Sequence, residues 1–297
     1  MVRRLIALLL VTAAPLARGD DTSPLGPEPE VKPYTEGWHG GSPPGEHVII
    51  RANLWILDSQ RTELEVGHEQ RTLLVTSHDL GEQGHGVAGG LGIEGYGGKL
   101  GWLSLDWWTV QSRAETQLRR TITLDETIFA QGAVVDSEVT QHVVKIRDGL
   151  DIRYRIPIGD ETWLDFNFGP VMSLMFRYEA FTVSEQGSGL AVKDSLLAVS
   201  IVPGWRAGID FHALDGFIVR VGSDVDLLPH LDHNPLSFTR EPSLDAWADA
   251  RAFLAVRFEI VEASVGWRYF RSLASGGHFR QAETDMKGGF LELAARF

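Results

Sequence analysis

Apolar and polar residues alternate along most of the chain that follows Pro44. The clearest case runs from Val144 to Ile156, where mostly apolar even positions alternate with charged odd positions such as Lys145 and Arg147. A period of two is typical of β-strands whose two faces meet different surroundings. No stretch carries a persuasive apolar stripe of helical period over ordinary helix length. The pattern therefore predicts an all-β chain.

Ten segments carry this alternation and are predicted to be strands. They are residues 48–57, 88–96, 99–112, 138–156, 162–176, 196–211, 217–225, 246–260, 263–271 and 288–297. Eight or twelve strands also remain possible, because residues 61–66 and 119–124 in the first two loops could extend hairpins.

The predicted connections alternate between short and long. Tight turns are expected at 97–98, 157–161, 212–216 and 261–262, and long loops at 58–87, 113–137, 177–195, 226–245 and 272–287. Short periplasmic turns and long extracellular loops are typical of transmembrane barrels, and an even strand count places both chain ends on the periplasmic side.

Two architectures can produce such alternation. A soluble sandwich exposes its polar face to water and packs the apolar faces of two sheets together. A membrane barrel turns its apolar face to lipid and its polar face inward. The polar face of this chain is rich in Arg, Asp and Gly. We therefore predict a transmembrane up-and-down antiparallel β-barrel.

The first residues have the pattern of an export signal. Arg3 and Arg4 precede a short apolar stretch, and a small-x-small site favours cleavage after Gly19. Residues 1–19 are thus predicted to be a signal peptide, residues 20–45 a Pro-rich periplasmic arm, and residues 46–297 the barrel. The arm could be a loose tether or could thread into the fold behind it.

Composition narrows the functional classes. The formal net charge is -13, which argues against a nucleic-acid partner because phosphate binding needs a basic face. The chain has no cysteine, so disulfides, thiolate metal sites and thiol nucleophiles are excluded.

Charged residues on the inward face predict a lumen of closely paired ions with a small excess of cations. The predicted lumen-lining residues are Arg51, Asp106, Lys145, Arg147, Asp151, Arg153, Arg155, Asp165, Arg206, Arg257 and Glu259. A barrel of about ten strands is narrow, so such an interior is expected to be plugged or nearly so.

The chain resembles bacterial outer-membrane β-barrel proteins in its export signal and in its final strand, GGFLELAARF, which ends at Phe297. The resemblance implies a Gram-negative outer-membrane location, contact with outer-membrane lipid and lipopolysaccharide, and recognition of Phe297 by the barrel-assembly machinery. Ten strands also resemble the omptin proteases. Asp210 and His212 have a matching spacing, but their predicted place at a periplasmic turn argues against carrying that activity over.

Other chemical motifs are weak. The glycine patterns at 84–89 and 90–95 match a dinucleotide fingerprint, but a Trp-rich strand follows them where a helix is required. His230, Asp232 and His233 could supply ligands to zinc or copper, but no further ligand is placed beside them, which favours a solvated loop with two histidines. Ser77, His78 and Asp79 are triad residue types that are merely adjacent. We predict no catalytic, cofactor-binding or metal-binding residues.

Tryptophans near the strand ends are predicted to form an interfacial girdle. The residues are Trp102, Trp107, Trp108, Trp163, Trp205, Trp247 and Trp267.

Taken together, these patterns favour a structural or surface-interaction barrel with a narrow or plugged charged lumen and no enzymatic activity. Two alternatives stay open. One is an enzyme acting on lipid or peptide at the barrel rim, and the other is a small, porin-like, weakly anion-selective channel. A Ser or Asp beside a His at matching height on neighbouring strands would favour the enzyme.

Overall fold

A computed structural model describes residues 37–40, 47–66, 72–75, 79–80, 85–97, 101–124, 126–159, 162–214, 216–230, 236, 243–276 and 279–297. The predicted signal peptide and most of the predicted arm lie outside these residues. In the described part of the chain, no helix is long and apolar enough to cross a membrane.

The described residues form fifteen strands, in agreement with the all-β prediction. Their bounds are β1 (Gly37–Gly40), β2 (Val48–Val66), β3 (Thr72–Val75), β4 (Gly86–Gly97), β5 (Gly101–Gln117), β6 (Ile122–Leu124), β7 (Thr127–Phe129), β8 (Val134–Leu150), β9 (Ile152–Pro157), β10 (Trp163–Glu185), β11 (Ala191–Leu214), β12 (Phe217–Leu228), β13 (Ser243–Phe258), β14 (Val261–Gly276) and β15 (Phe279–Arg296).

Ten of these strands close into an antiparallel barrel, as predicted. The ring runs β2, β4, β5, β8, β10, β11, β12, β13, β14 and β15, and β15 pairs with β2 over most of its length. Strand β9 continues β8 beyond Asp151 and pairs with the first part of β10. Closure leaves no long sheet edge within the ring, which is the requirement for a sheet that spans a membrane.

The two ends of the barrel differ. The turn end carries Phe297 and the short connections 98–100, 158–162, 215–216 and 259–260. The loop end carries the connections 118–133 and 229–242 and the β10–β11 and β14–β15 turns.

Two predicted long loops, 177–195 and 272–287, are wrong. Strands β10 and β11 continue to a turn at 186–190, β14 continues to Gly276, and β15 begins at Phe279. In these extensions the phase of the alternation is reversed, so that the apolar side chains point into the barrel and the polar ones point outward. On β15, Leu291 and Leu293 point outward, whereas Met286 and Ala282 farther along the barrel are buried inside. The prediction followed only an outward apolar stripe and therefore ended each strand where that stripe ended.

An apolar belt surrounds the outside of the barrel nearer the turn end. Its members are large exposed hydrophobic side chains on every strand of the ring. They include Ile50, Leu54, Ile56, Leu91, Ile93, Leu103, Leu105, Trp107, Met172, Trp205, Ile209, Val221, Val225, Leu254, Val256, Val265, Trp267, Leu291 and Leu293. In water such a continuous belt is unfavourable, so it is expected to face lipid.

Part of the predicted arm joins the wall. Strand β5 begins at Gly101 opposite Leu150, which leaves β9 without a β5 partner. Strand β1 fills that place and pairs with β9 from Ile152 to Arg155. The Trp38 ring packs against Tyr154 at 4.9 Å between ring centroids. Of the two possibilities left open for the arm, residues 37–40 follow the second and thread into the fold.

Small elements fold at the loop end. Residues 61–66 extend β2, and residues 63–66 of this extension pair with β3. Strands β6 and β7 form a hairpin within the 118–133 connection. Leu124 and Phe129 on this hairpin are fully buried, so it packs inward against the barrel interior.

Candidate functional site

The interior nearer the turn end is a layer of paired charges. This charged layer consists of Arg51, Glu94, Asp106, Lys145, Arg147, Arg206, Asp224, Asp226, Asp249, Arg251 and Arg268. Alternation sends these side chains inward from eight strands, β2, β4, β5, β8, β11, β12, β13 and β14. Charge-assisted hydrogen bonds then connect strands that are not neighbours in the ring.

Several ion pairs cross the barrel. Arg206 on β11 contacts Glu94 on β4 at 3.0 Å and Asp224 on β12 at 3.0 Å. Lys145 on β8 contacts Asp226 on β12 at 3.0 Å and also Asp249 on β13. Strands β11 and β12 are neighbours, but β4 is not a neighbour of β11, and β8 is not a neighbour of β12 or β13. The Arg206–Glu94 and Lys145 pairs therefore meet through the interior and crosslink the lumen at this level.

Asp224 joins three cations. Its carboxylate lies 3.0 Å from Arg206 and 3.6 Å from Arg147, and it also accepts a 2.7 Å hydrogen bond from Arg251. A buried carboxylate with this many partners neutralises charge that would otherwise be costly to bury.

A second group of charges lies closer to the turn end. Arg153 pairs with Asp151 at 2.7 Å, and Arg296 pairs with Glu262 at 2.7 Å. Two bidentate pairs complete the group, Arg155 with Asp165 and Arg220 with Asp210. The charged interior therefore continues to the rim.

The structure places most of the predicted lumen residues among these two groups. Arg51, Lys145, Arg147, Asp151, Arg153 and Asp165 are buried, and Asp106, Arg155 and Arg206 are partly buried. Arg257 is partly exposed near the β13–β14 turn and donates to the Glu259 carbonyl at 2.8 Å. Glu259 itself is exposed in that turn with a φ of 51°, so it does not belong to the buried interior.

Sequence reasoning missed Asp226, Asp249 and Glu262. Asp226 and Glu262 were assigned to a loop and a turn because the predicted strands ended one residue too early. Asp249 lies two residues before Arg251 on β13 and therefore points to the same face of the strand, which was the signal that could have identified it as an inward residue. Extending the predicted strands by one residue at their ends would have found Asp226 and Glu262.

Glycines make room for the large side chains. A Cβ on Gly92 would collide with the Asp106 carboxylate, and a Cβ on Gly149 would collide with the Trp102 indole. From Gly86 onward, the glycine patterns at 84–89 and 90–95 thus lie on β4, where small inward positions accommodate neighbouring side chains.

An aromatic layer borders the charged layer on its loop-end side. Trp108 and Trp247 both meet Phe270 edge to face, at 4.9 Å and 4.8 Å between ring centroids, and Trp55 meets Trp108 at 5.9 Å. The Arg268 guanidinium lies 4.9 Å from the Trp55 ring centroid. Cation–π contacts therefore link the charged layer to the aromatic layer.

The predicted tryptophan girdle is only partly right. Trp107, Trp205 and Trp267 lie on the outside, and Trp163 is partly buried. Trp102, Trp108 and Trp247 are 1 to 2% exposed and lie inside the barrel. Trp107 and Trp108 are adjacent, so on a strand they must point to opposite faces.

An apolar core fills the interior at the loop end. Val139, Val143, Met175, Phe181, Val183, Val202, Ala274, Ala282 and Met286 contribute from the wall, and Leu80, Leu118, Ile122, Leu124 and Phe129 contribute from the connections. One buried ion pair, Arg177 with Glu179, lies in this region, and Arg177 also donates to the Ala282 carbonyl at 3.1 Å and to Thr284 Oγ1 at 3.2 Å.

A small cavity lies within the charged layer. The cavity inside the charged layer has a volume of about 30 Å³ and is lined by residues including Arg147, Asp224 and Asp249. That volume holds about two water molecules.

At the turn end, Asp165 on β10 and His212 on β11 lie side by side on neighbouring strands, but Arg155 also donates two hydrogen bonds to the Asp165 carboxylate. Asp210 and His212 lie at the turn end, where His212 Nε2 is 3.3 Å from Asp165 and its ring stacks on Trp163 at 4.3 Å. Ser77, His78, Asp232 and His233 lie outside the described residues. Among the residues that the structure describes, no group of three or more His, Cys, Asp or Glu could hold a metal ion.

The closed antiparallel ring, its charged and aromatic interior and its outward apolar belt together define a β-barrel of the outer-membrane type. No model of a known protein family matches the chain, and no curated protein sequence matches it.

Solved structures that resemble this chain are also outer-membrane barrels. The attachment invasion locus protein Ail of Yersinia pestis matches with 10% identity, covering 83% of this chain and 98% of that chain at a TM-score of 0.27. The translocator domain of the autotransporter NalP from Neisseria meningitidis matches with 12% identity over 85% and 89% at 0.28. The toluene transporter TodX of P. putida matches with 7% identity over 86% and 91% at 0.28. Similarity at this level is too low to support the assignment. The class of the protein rests on the closure of its barrel and on the apolar belt on its surface.

Proposed function

We propose that this protein is a non-conducting barrel of the Gram-negative outer membrane, of the structural or surface-interaction type. Its turn end faces the periplasm, and its loop end projects beyond the outer leaflet. Phe297 serves as the signal read by the barrel-assembly machinery, and outer-membrane lipid and lipopolysaccharide surround the apolar belt. The belt supports this membrane placement, because its large exposed side chains require an apolar environment.

The filled interior is the observation that carries the proposal. Crosslinked charges occupy the half near the turn end, and an apolar core that includes the β6–β7 hairpin occupies the other half. An aqueous channel needs continuous polar space, whereas the cavity among the charges holds about two waters. This arrangement favours a plugged barrel over the small anion-selective channel.

The projecting hairpins support the surface role. Strands β10, β11, β14 and β15 extend well past the belt and present outward polar residues such as Thr182, Ser184, Lys193 and Arg271. They raise a rigid, hydrated surface above the outer leaflet, available to partners outside the cell.

Planar-bilayer recording tests this proposal. The purified full-length protein, shown to be folded by different gel migration before and after heating, is expected to give no steady conductance. A stable conductance that favours anions, with a preference that weakens as salt rises, would contradict the plugged barrel and put the channel first.

A further inference from the structure

Strands β2, β15 and β14 lie side by side and carry a distinct outward surface. Just beyond the apolar belt, the register aligns Arg61, Asp285 and Arg271 in one row. The next row toward the belt aligns Ser59, Lys287 and Tyr269. Three cations, Arg61, Arg271 and Lys287, therefore lie around Asp285 at the boundary of the belt on the loop-end side.

These cations remain accessible although carboxylates orient two of them. Arg61 pairs with Glu63, and Arg271 pairs with Glu283 at 2.7 Å, yet the two arginine side chains are 63% and 53% exposed. Lys287 is exposed and has no ion-pair partner among the residues that the structure describes. A cleft of about 190 Å³ lies between Arg61, Glu63, Arg271, Glu283 and Asp285.

A notch in the belt lies directly below Lys287. There the register aligns Ile56, Gly289 and Trp267, and the two flanking side chains are exposed. Gly289 has no side chain, and a Cβ built on it would meet only the Gly266 carbonyl oxygen at 3.8 Å. The surface between Ile56 and Trp267 is thus open and apolar, and it leads down to exposed Leu291.

We propose that this surface binds a phosphorylated lipid of the outer leaflet, with its phosphate on Lys287, Arg271 and Arg61 and an acyl chain in the Gly289 notch. Each guanidinium has five N–H donors, so an arginine can hold a carboxylate and a phosphate together. Tyr269 and Trp267 lie at the depth where amphipathic rings meet headgroups. The inference rests on the proposed outer-membrane location, because only the outer leaflet meets this part of the barrel.

Binding of diphosphoryl lipid A to the full-length protein in detergent, counted by native mass spectrometry, tests the site. The variant R271Q/K287Q is expected to bind lipid A about tenfold more weakly, because charge-assisted hydrogen bonds are lost. Gly289→Leu is expected to weaken binding by filling the notch while leaving the cations in place. The matched control R113Q, on β5 and 68% exposed beside Glu138, is expected to bind normally. Unchanged binding by R271Q/K287Q, or equal weakening by R113Q, would overturn the site.

Two further probes identify the source of the phosphate. Lipid A without its phosphates is expected to bind the native protein as weakly as lipid A binds R271Q/K287Q. Inorganic phosphate at millimolar concentration is expected not to displace lipid A, and displacement would overturn the lipid assignment.

Retention of the heat-dependent gel shift shows that each variant is folded. A conducting native barrel would overturn the proposed function and leave lipid binding untouched, so the two failures are distinguishable.

Discussion

The two halves of the barrel interior are filled by opposite chemistry on the same strands. Near the turn end, inward positions carry the charged layer, and the outer surface is the apolar belt. Near the loop end, inward positions carry the apolar core, and the outer surface carries residues such as Arg61 and Asp285. Where water surrounds the wall, the hydrophobic effect drives apolar side chains inward. Where lipid surrounds it, apolar side chains stay outside and polar ones turn inward.

The aromatic layer joins these two halves. Arg268 lies over Trp55 and Trp108, and Lys145 lies 5.7 Å from the Trp247 ring centroid. Such contacts allow cations to border an apolar region without losing all favourable electrostatic interaction. A change of surroundings along a strand therefore appears in the sequence as a change in which face of the strand carries the apolar residues.

The largest expected effect tests the charged half. Asp224→Ala leaves Arg206, Arg147 and Arg251 short of a shared carboxylate, and it should destabilise the barrel by about 3 to 5 kcal/mol. Urea unfolding in lipid vesicles, followed by tryptophan fluorescence, measures this. Asp136→Ala is the control, because Asp136 is exposed and contacts the Gln186 side chain, and it should change stability by less than about 0.5 kcal/mol. Equal effects of the two substitutions would show that the charged layer contributes little.

The belt outside the charged half gives the next effect. Leu254→Arg should cost about 2 to 4 kcal/mol, because Leu254 is exposed on the lipid-facing side of β13. Arg257→Ala, on the opposite face of the same strand, should carry no lipid-insertion cost. The same vesicle unfolding assay compares them. If Leu254→Arg is tolerated as well as Arg257→Ala, the inside and outside of the barrel have been assigned wrongly.

The smallest effect tests whether the apolar half includes the β6–β7 hairpin. Ile122→Val on β6 should cost about 0.5 to 1.5 kcal/mol, because Ile122 is buried in the apolar core. Ile128→Val on the same hairpin should cost less than about 0.5 kcal/mol, because Ile128 is 61% exposed. No difference between the two variants would mean that the hairpin does not unfold together with the barrel.

Local sequence explains the success of the strand predictions. Every predicted strand exists, because alternation depends only on neighbours along one strand. The extensions of β10, β11, β14 and β15 were missed because their phase is reversed, and a reversed phase looks like the end of a stripe. The tryptophans were misassigned for a related reason. Proximity to a strand end was taken as the signal, although parity separates Trp107 from Trp108.

The ion pairs of the charged layer could not be predicted from local sequence. Parity marks Lys145 as an inward residue, but its partners Asp226 and Asp249 lie 81 and 104 residues farther along the chain. Nothing in a strand's own alternation states which distant carboxylate it will meet.

The sequence by itself determined that the chain is all-β, that it has about ten long amphipathic strands in antiparallel order, and that one face of most of them is rich in charge. Only the tertiary structure decided which charges pair across the interior, where the charged layer gives way to the aromatic layer and the apolar core, and that β1 completes the wall beside β9. The physical reason is that alternation is a property of one strand, whereas pairing depends on the stagger with which the strands close into a ring.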